Sequence, residues 1–334
     1  MPSSATFSGC HVWTPATVGR VKILATDAAP FEFEPPAGVQ VVFIDENQPI
    51  PAEHLDADAA ILVGGRTRVA DQLAAEASGL RWVQTLAAGP DGVLAAGFGP
   101  GVTITNGRGL HTYTVAETAL ALTLAGILRL PGMLAAQREH RWAYEEYGTW
   151  RALHPTGRLG SLIDTDVLVW GFGAIGEQVA RLFTAVGARV RGIATTAGER
   201  GGFEVFTDAD LPRLLPATDV LVMVLPHDDS TRHALDADRM ALLPDHAWVV
   251  NVGRGTTVDN DALAAALNAG ELGGAALDVA DPEPYPADGP LWDARNCILV
   301  PHVAGGVAHG SDELINDNLA RLGSGQPLRN VVPR

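Results

Sequence analysis

The chain has 334 residues, 47% of them hydrophobic and 19% charged, which is apolar material for about two packed domains and no signature of disorder. Asp and Glu number 39 against 23 Lys and Arg, a formal net charge of −16, and no basic run relieves it, which argues against nucleic acid or an anionic membrane as partner. Lys22 is the only lysine and opens an early strand, Cys10 and Cys297 are the only cysteines, and no G-x-x-x-x-G-K-[ST] loop occurs, so a Schiff-base lysine, a disulfide framework, a thiolate cluster and a P-loop are all disfavoured.

From the N-terminus, MPSSATFSGCHVW lacks the basic start and apolar run of a signal peptide. Strands are expected over 21–27, 39–45, 59–65 and 81–87. A helix follows from about Thr112 to Leu130. It is apolar on every face, so it is expected to lie buried between two bodies. Its most apolar stretch, ALALTLAGIL, is hemmed in by Glu117 and Arg129 and falls short of a membrane span, which points to a cytoplasmic protein. Residues 131–165 read as irregular. A second alternation then places strands at 165–171, 188–194, 218–226, 247–253, 273–280 and 297–303, and SDELINDNLARL closes the chain as a helix. Strands alternating with helical patterns are the rhythm of parallel α/β proteins, and the two halves suggest two related α/β bodies with a cleft between them.

The segment DVLVWGFGAIGEQVARLFTAVGARV carries the strongest signal. Gly171, Gly173 and Gly176 form G-x-G-x-x-G directly after a buried strand, and Val179, Leu182, Phe183 and Val186 then mark one helix face. In a chain with 37 glycines the motif alone could be chance; the strand before it, the helix after it and the strand at 188–194 favour a dinucleotide turn over a glycine-rich turn of a Rossmann-like fold that binds nothing. Glycine permits the tight turn, close approach of a pyrophosphate and close helix packing, and the helix N-terminus presents free N–H groups to the phosphates. The second strand ends in GIATTAGER, with Ala194 where an acid would bind the ribose of NAD. Thr195, Thr196 and Arg200 follow and could hold a 2′-phosphate, which favours NADP(H) over NAD(H). A solvated polar loop that leaves NAD tolerated is the alternative, and Glu199 is the dissenting residue.

Three polar residues stand at or just beyond strand ends on the same side as the glycine turn. Arg254 follows AWVVNVG, Glu283 lies in DPEPYP, and His302 closes CILVPH. Each alone is most simply a surface or structural residue. Together they meet the needs of hydride transfer to a 2-oxo acid: a guanidinium for the carboxylate and carbonyl, a histidine as proton donor, and a carboxylate that favours the charged imidazole.

With VWGFGAIGEQVA, NVGRGTTVDNDAL, GAALDVADPEP and VPHVAGG in this order, the chain resembles the D-isomer-specific 2-hydroxyacid dehydrogenase family from about Leu80 to Val332. The resemblance implies an α/β fold of two Rossmann-like domains with parallel sheets, the cofactor domain inserted into a flavodoxin-like substrate domain. Residues 1–108 and 302–334 would be the substrate-binding domain, and 109–301 the NAD(P)-binding Rossmann domain. It assigns Arg254 to the substrate carboxylate, Glu283 to the histidine, and His302 to acid/base chemistry. It further implies Ala174 and Ile175 on the pyrophosphate, Leu225 and Pro226 near the adenosine, Val252 and Asp278 at the nicotinamide amide, and Gly305 as a further cofactor contact. Backbone N–H groups of the loops 63–67 and 86–91, at Gly64, Gly65, Ala88 and Gly89, would hold the substrate carboxylate. Family members are usually dimers joined through the cofactor domains.

A formate dehydrogenase-like member would carry glutamine at Glu283. The long phosphoglycerate dehydrogenases carry a regulatory domain for which no room is expected before Arg334. Few basic residues beyond Arg66 lie in the two loops, which favours a small unphosphorylated acid such as glyoxylate or hydroxypyruvate. The rival reading is a dinucleotide-sensing binding protein of the same fold, like the corepressors in this family. No metal is expected: in HDDSTRH, His227, Asp228, Asp229 and His233 do not have ligand spacing. Neither G-x-S-x-G nor H-E-x-x-H occurs, and Cys297 reads as core.

Overall fold

The computed structural model describes residues 21–333 apart from 28–34, 36, 65, 66, 149–151 and 307, so Cys10, Gly65 and Arg66 lie outside the described residues. The chain forms two compact units, Met1–Leu110 with Ala308–Arg334, and His111–Val307. The sequence expectation cut the C-terminal boundary before His302. Residues 302–306 stay with the second unit because His302 N–H donates to Asp278 O (2.7 Å), and the Val303 and Ala304 N–H groups donate to the Asp278 carboxylate.

In the first unit, β1 (Val21–Thr26), β2 (Val39–Ile44), β3 (Ala59–Leu62), β4 (Trp82–Thr85) and β5 (Thr103–Thr105) form a parallel sheet in the order β2-β1-β3-β4-β5. That order is the flavodoxin-like doubly wound one. Both faces are buried, so the central strands read as near-continuous apolar runs. On one face Leu24, Leu62, Val83 and Ile104 pack with Val69, Ala70 and Leu73 of α1 (Arg68–Glu76). On the other, Ile23, Ala59, Ile61 and Trp82 pack with Leu314, Ile315, Leu319 and Leu322 of the C-terminal helix, Ser311–Ser324. A short α2 (Asp91–Ala95) follows β4. The strand β5 was not anticipated. It is only three residues long and is held by a buried network, in which Trp82 Nε1 donates to Thr105 Oγ1 (2.8 Å) and Thr105 Oγ1 donates to Gln84 Oε1 (2.8 Å).

The second unit opens with α3 (Thr112–Ile127), α4 (Leu130–Arg138) and α5 (Tyr144–Tyr147). Two expectations are corrected here. The stretch read as irregular holds α4 and α5. And α3 is not buried on every face: Val115, Ala119, Leu122 and Gly126 face the core, while Tyr113 is 55% exposed and Glu117 and Ala121 are also exposed. An all-round apolar pattern does not tell which face the sheet takes. Gly126 shows the close side, because a Cβ there would collide with the ring of Trp248.

The sheet of this unit has the order β13-β12-β11-β10-β6-β7-β9-β8. Its strands are β6 (Asp166–Trp170), β7 (Arg189–Ile193), β8 (Gly198–Arg200), β9 (Phe203–Phe206), β10 (Val220–Met223), β11 (Trp248–Asn251), β12 (Gly274–Leu277) and β13 (Cys297–Leu299). Every pairing is parallel except β8 with β9, a hairpin turned by Gly201 and Gly202 at φ +59° and +87°. This hairpin stands where the sequence suggested only a polar loop. Helix α6 (Ala174–Ala185) covers one face of the sheet together with α3. The short α7 (Leu211–Leu214) and α8 (Ala237–Met240) join α9 (Asn260–Ala269) on the other. Among the described residues no single helix is long and apolar enough to cross a membrane.

Candidate active site

The glycine turn has the geometry its motif implies. Gly171 adopts φ +104°, and a Cβ there would meet Val224 O at 2.5 Å. At Gly176 a Cβ would collide with Gly171 O, so glycine lets α6 press onto the turn. A Cβ at Gly173 would meet nothing within 4 Å, leaving that side open for a phosphate to approach the backbone. Ala174 and Ile175 open α6, whose first-turn N–H groups lack intrahelical partners. Phe172 is buried against Phe203 (ring centroids 5.8 Å apart) over Gly192, where any side chain would displace it. These residues fit a dinucleotide.

At the edge of this turn, Arg200 reaches back from β8. Its Nη1 donates to Phe172 O (2.8 Å), and its Nη2 donates to Thr196 O (2.9 Å) and Thr196 Oγ1 (2.6 Å). The guanidinium is thereby anchored beside the exposed Thr195 and Thr196, at the position where an NAD site carries an acid. Leu225 and exposed Pro226 follow β10. Gly253 packs directly on Leu225, because a Cβ would meet its oxygen at 2.7 Å.

The charged group assembles from three strand ends. After β11, Asn251 shapes the turn: its Oδ1 accepts from Gly253 N (3.0 Å) and its Nδ2 donates to Arg254 O (3.0 Å), an oxygen that also accepts from Thr257 Oγ1 (2.7 Å). Gly255 lies so close to Ala280 that a Cβ would collide with its carbonyl. This contact sets the Arg254 turn against the loop that carries Glu283. Glu283 Oε1 accepts from Ala280 N (3.1 Å), and its Oε2 lies 2.7 Å from Nδ1 of His302.

His302 has a left-handed backbone, φ +52°, uncommon for a residue with a Cβ and costing about 1–3 kcal/mol. Asp278 supports it: its oxygen accepts from His302 N, and its buried carboxylate accepts from Val303 N (2.7 Å) and Ala304 N (3.1 Å). Asp278, expected at the nicotinamide, thus also braces the histidine loop. Val252 is buried beside it, and Gly305 lies against the ring of His111.

The hydrogen bond and negative charge of Glu283 raise the His302 pKa above the ordinary histidine value, against burial and the charge of Arg254. Burial alone would raise Glu283, but the bond and charge of His302, the Ala280 N–H and the charge of Arg254 outweigh it and hold its carboxyl below the usual glutamate value. The protonated imidazole is therefore favoured to higher pH than in an ordinary histidine, with Nδ1 against the Glu283 carboxylate.

Elsewhere, the HDDSTRH loop is held by its own groups and by neighbouring residues. Asp228 Oδ1 accepts from Ser230 N (2.7 Å) and Thr231 N (3.1 Å), and His227 Nδ1 lies 2.8 Å from Thr256 Oγ1. Cys297 is half-buried, and burial pushes its thiol pKa up to about 12. In the first unit Ala88 and Gly89 lie in a half-buried loop after β4, and Gly64 follows β3. Asn251, Gly255 and the bracing role of Asp278 were not singled out from sequence. A buried asparagine at a strand end, as in VVNVG, was the available signal.

Comparison with known proteins agrees with this geometry. Residues 120–304 match the family model described as D-isomer specific 2-hydroxyacid dehydrogenase, NAD binding domain. The chain is 32% identical over 307 residues to a glyoxylate reductase of Aeropyrum pernix, covering 87% of this chain and 88% of that one. Among solved structures, a D-isomer specific 2-hydroxyacid dehydrogenase family protein from Aeromonas salmonicida superposes with a TM-score of 0.77 at 27% identity, over 94% of this chain and 99% of its own. An NADPH-dependent glyoxylate/hydroxypyruvate reductase from Sinorhizobium meliloti, solved with NADP and malonate, gives a TM-score of 0.72 at 29% identity, over 94% and 97%. The class so defined is that of the NAD(P)-dependent oxidoreductases. Within it, the chain belongs to the D-isomer specific 2-hydroxyacid dehydrogenase family.

Proposed function

We propose that this protein reduces a small, unphosphorylated 2-oxo acid of the glyoxylate or hydroxypyruvate type to the D-2-hydroxy acid, with NADPH preferred over NADH. The observation that carries the chemistry is the 2.7 Å pair of His302 Nδ1 and Glu283 Oε2 beside the Arg254 turn. In this reading Arg254 binds and polarises the 2-oxo acid, His302 gives its Nε2 proton to the carbonyl oxygen as that oxygen gains charge, and Glu283 holds the imidazolium. The reduced nicotinamide supplies the hydride when bound. The pyrophosphate is assigned to Gly171, Gly173, Ala174, Ile175 and Gly176, and the flanking contacts to Leu225, Pro226, Val252, Asp278 and Gly305. The loops of the first unit, through Gly64, Ala88 and Gly89, are assigned the carboxylate.

The NADPH preference rests on Arg200 anchored beside Thr195 and Thr196, with Ala194 in the position of the ribose-binding acid. The substrate size rests on the relatives, two of which carry glyoxylate or hydroxypyruvate in their names. A homodimer through the second unit is proposed as well. It is supported by exposed Tyr113, Leu128, Leu130, Leu134, Trp142 and Tyr144 along α3 to α5, with Trp142 93% exposed. The test is oxidation of NADPH and NADH followed in parallel with glyoxylate, hydroxypyruvate, pyruvate and a longer 2-oxo acid. NADPH-linked turnover of the small acids is expected. Tight NADPH binding without turnover of any acid would defeat the proposal.

A further inference from the structure

Gly64 and the loop 86–91 follow adjacent parallel strands, β3 and β4, and the Thr85 hydroxyl joins them. Thr85, the last residue of β4, is fully buried. Its Oγ1 donates to Gly64 O (2.7 Å) and accepts from Ala87 N (3.2 Å), using both capacities of a hydroxyl at once. Behind the loop 86–91, Gly107 N donates to Ala87 O (2.8 Å) and Asn106 Nδ2 donates to Ala88 O (2.8 Å). A trans peptide points its N–H opposite its carbonyl, so these two bonds turn the N–H groups of Ala88 and Gly89 away from residues 106–107. Among the described residues neither N–H donates to any acceptor. Successive backbone N–H groups that face one side are the kind of group that binds an anion.

We propose that Thr85 is a positioning residue for the substrate carboxylate, holding Gly64 and the Ala87–Gly89 loop in one fixed relation. The inference rests on the reading above that these loops bind the carboxylate. A β-branched apolar residue would suit a buried strand as well by shape, so the hydroxyl is what distinguishes threonine here. Its loss leaves Gly64 O and Ala87 N without their shared partner and lets the loops separate. Displacement of binding groups by a fraction of an ångström is felt directly in substrate binding.

The experiment compares wild type, Thr85→Val and Thr85→Ser in steady-state glyoxylate reduction at saturating NADPH, with calorimetric titration of oxalate and of NADPH. Two lost hydrogen bonds correspond to about a tenfold effect. Thr85→Val is expected to raise the glyoxylate KM and the oxalate Kd by about that factor, with kcat and the NADPH Kd within about twofold. Thr85→Ser is expected to restore both. An unchanged KM and oxalate Kd in Thr85→Val, with only Tm lowered, would overturn the inference and leave a structural role alone. So would a Thr85→Ser variant as impaired as Thr85→Val. If the wild type itself reduces no 2-oxo acid and binds no oxalate, the assignment of the loops falls and the inference falls with it, an outcome separate from the other two.

Discussion

Glu283 Oε2 and His302 Nδ1 lie 2.7 Å apart although 19 residues separate them in the chain. The carboxylate keeps the imidazole protonated to higher pH than an ordinary histidine. If His302 is the proton donor, kcat/KM for 2-oxo acid reduction falls as pH rises through its raised pKa, and the oxidation direction rises over the same range. Glu283→Gln removes the charge and is expected to move that limb to lower pH. A limb that stays in place would assign the titration to another group. His302→Ala is expected to cost about 10²–10⁴-fold in kcat while NADPH still binds, as fluorescence titration can check.

The Arg254 turn is fixed by Asn251 Nδ2 and Thr257 Oγ1 on its carbonyl, and the Arg254 side chain donates from Nη1 to Gly253 O (2.8 Å). Arg254→Lys keeps the charge and loses the planar fork, which is not a conservative change at a carboxylate site. The expected loss is about 10²–10³-fold in kcat/KM, the scale of one transition-state donor, with the NADPH Kd unchanged. Equal kcat/KM for Arg254→Lys and wild type would remove the guanidinium from the mechanism.

At the cofactor edge, Arg200 makes three hydrogen bonds that fix it beside Thr196. Arg200→Ala is expected to raise the KM for NADPH by about 10–150-fold, the range of one charged hydrogen bond, with NADH little affected. Parallel weakening of both dinucleotides would point instead to damage of the glycine turn through the lost contact to Phe172 O.

Gly176→Ala should distort the turn, because the new methyl group collides with backbone at Gly171 rather than with a flexible side chain. Overpacking of this kind costs about 1–3 kcal/mol, or roughly 2–4 °C in Tm per kcal/mol for a unit of this size. A weaker dinucleotide Kd is expected alongside the lower Tm. Thermal melting with and without NADPH measures both, and a variant with wild-type Tm and Kd would contradict the close packing of α6.

The residues assigned above to the cofactor and the chemistry could be picked out in sequence because their signals are local. The glycine turn sits between a strand and an amphipathic helix, and Arg254, Glu283 and His302 each mark the end of an apolar run. The strand rhythm likewise placed most of the two sheets. The α4–α5 segment was missed because its apolar residues are exposed and follow no clean period. The β8–β9 hairpin was missed because GERGGFEV looks like a polar loop until strand β7 provides an edge for β9 to pair with.

By itself, the sequence determined the kinds of group available, their order, and the α/β alternation that carries them to strand ends, since period and turn chemistry act over a few residues. Tertiary structure decided which groups meet. Gly255 pressing on Ala280 brings Arg254 to the Glu283 loop, Asp278 braces His302 from a neighbouring strand, and the Thr85 hydroxyl ties Gly64 to Ala87. These contacts depend on strand order and on backbone approach across loops distant in sequence, and no spacing within a single segment encodes them.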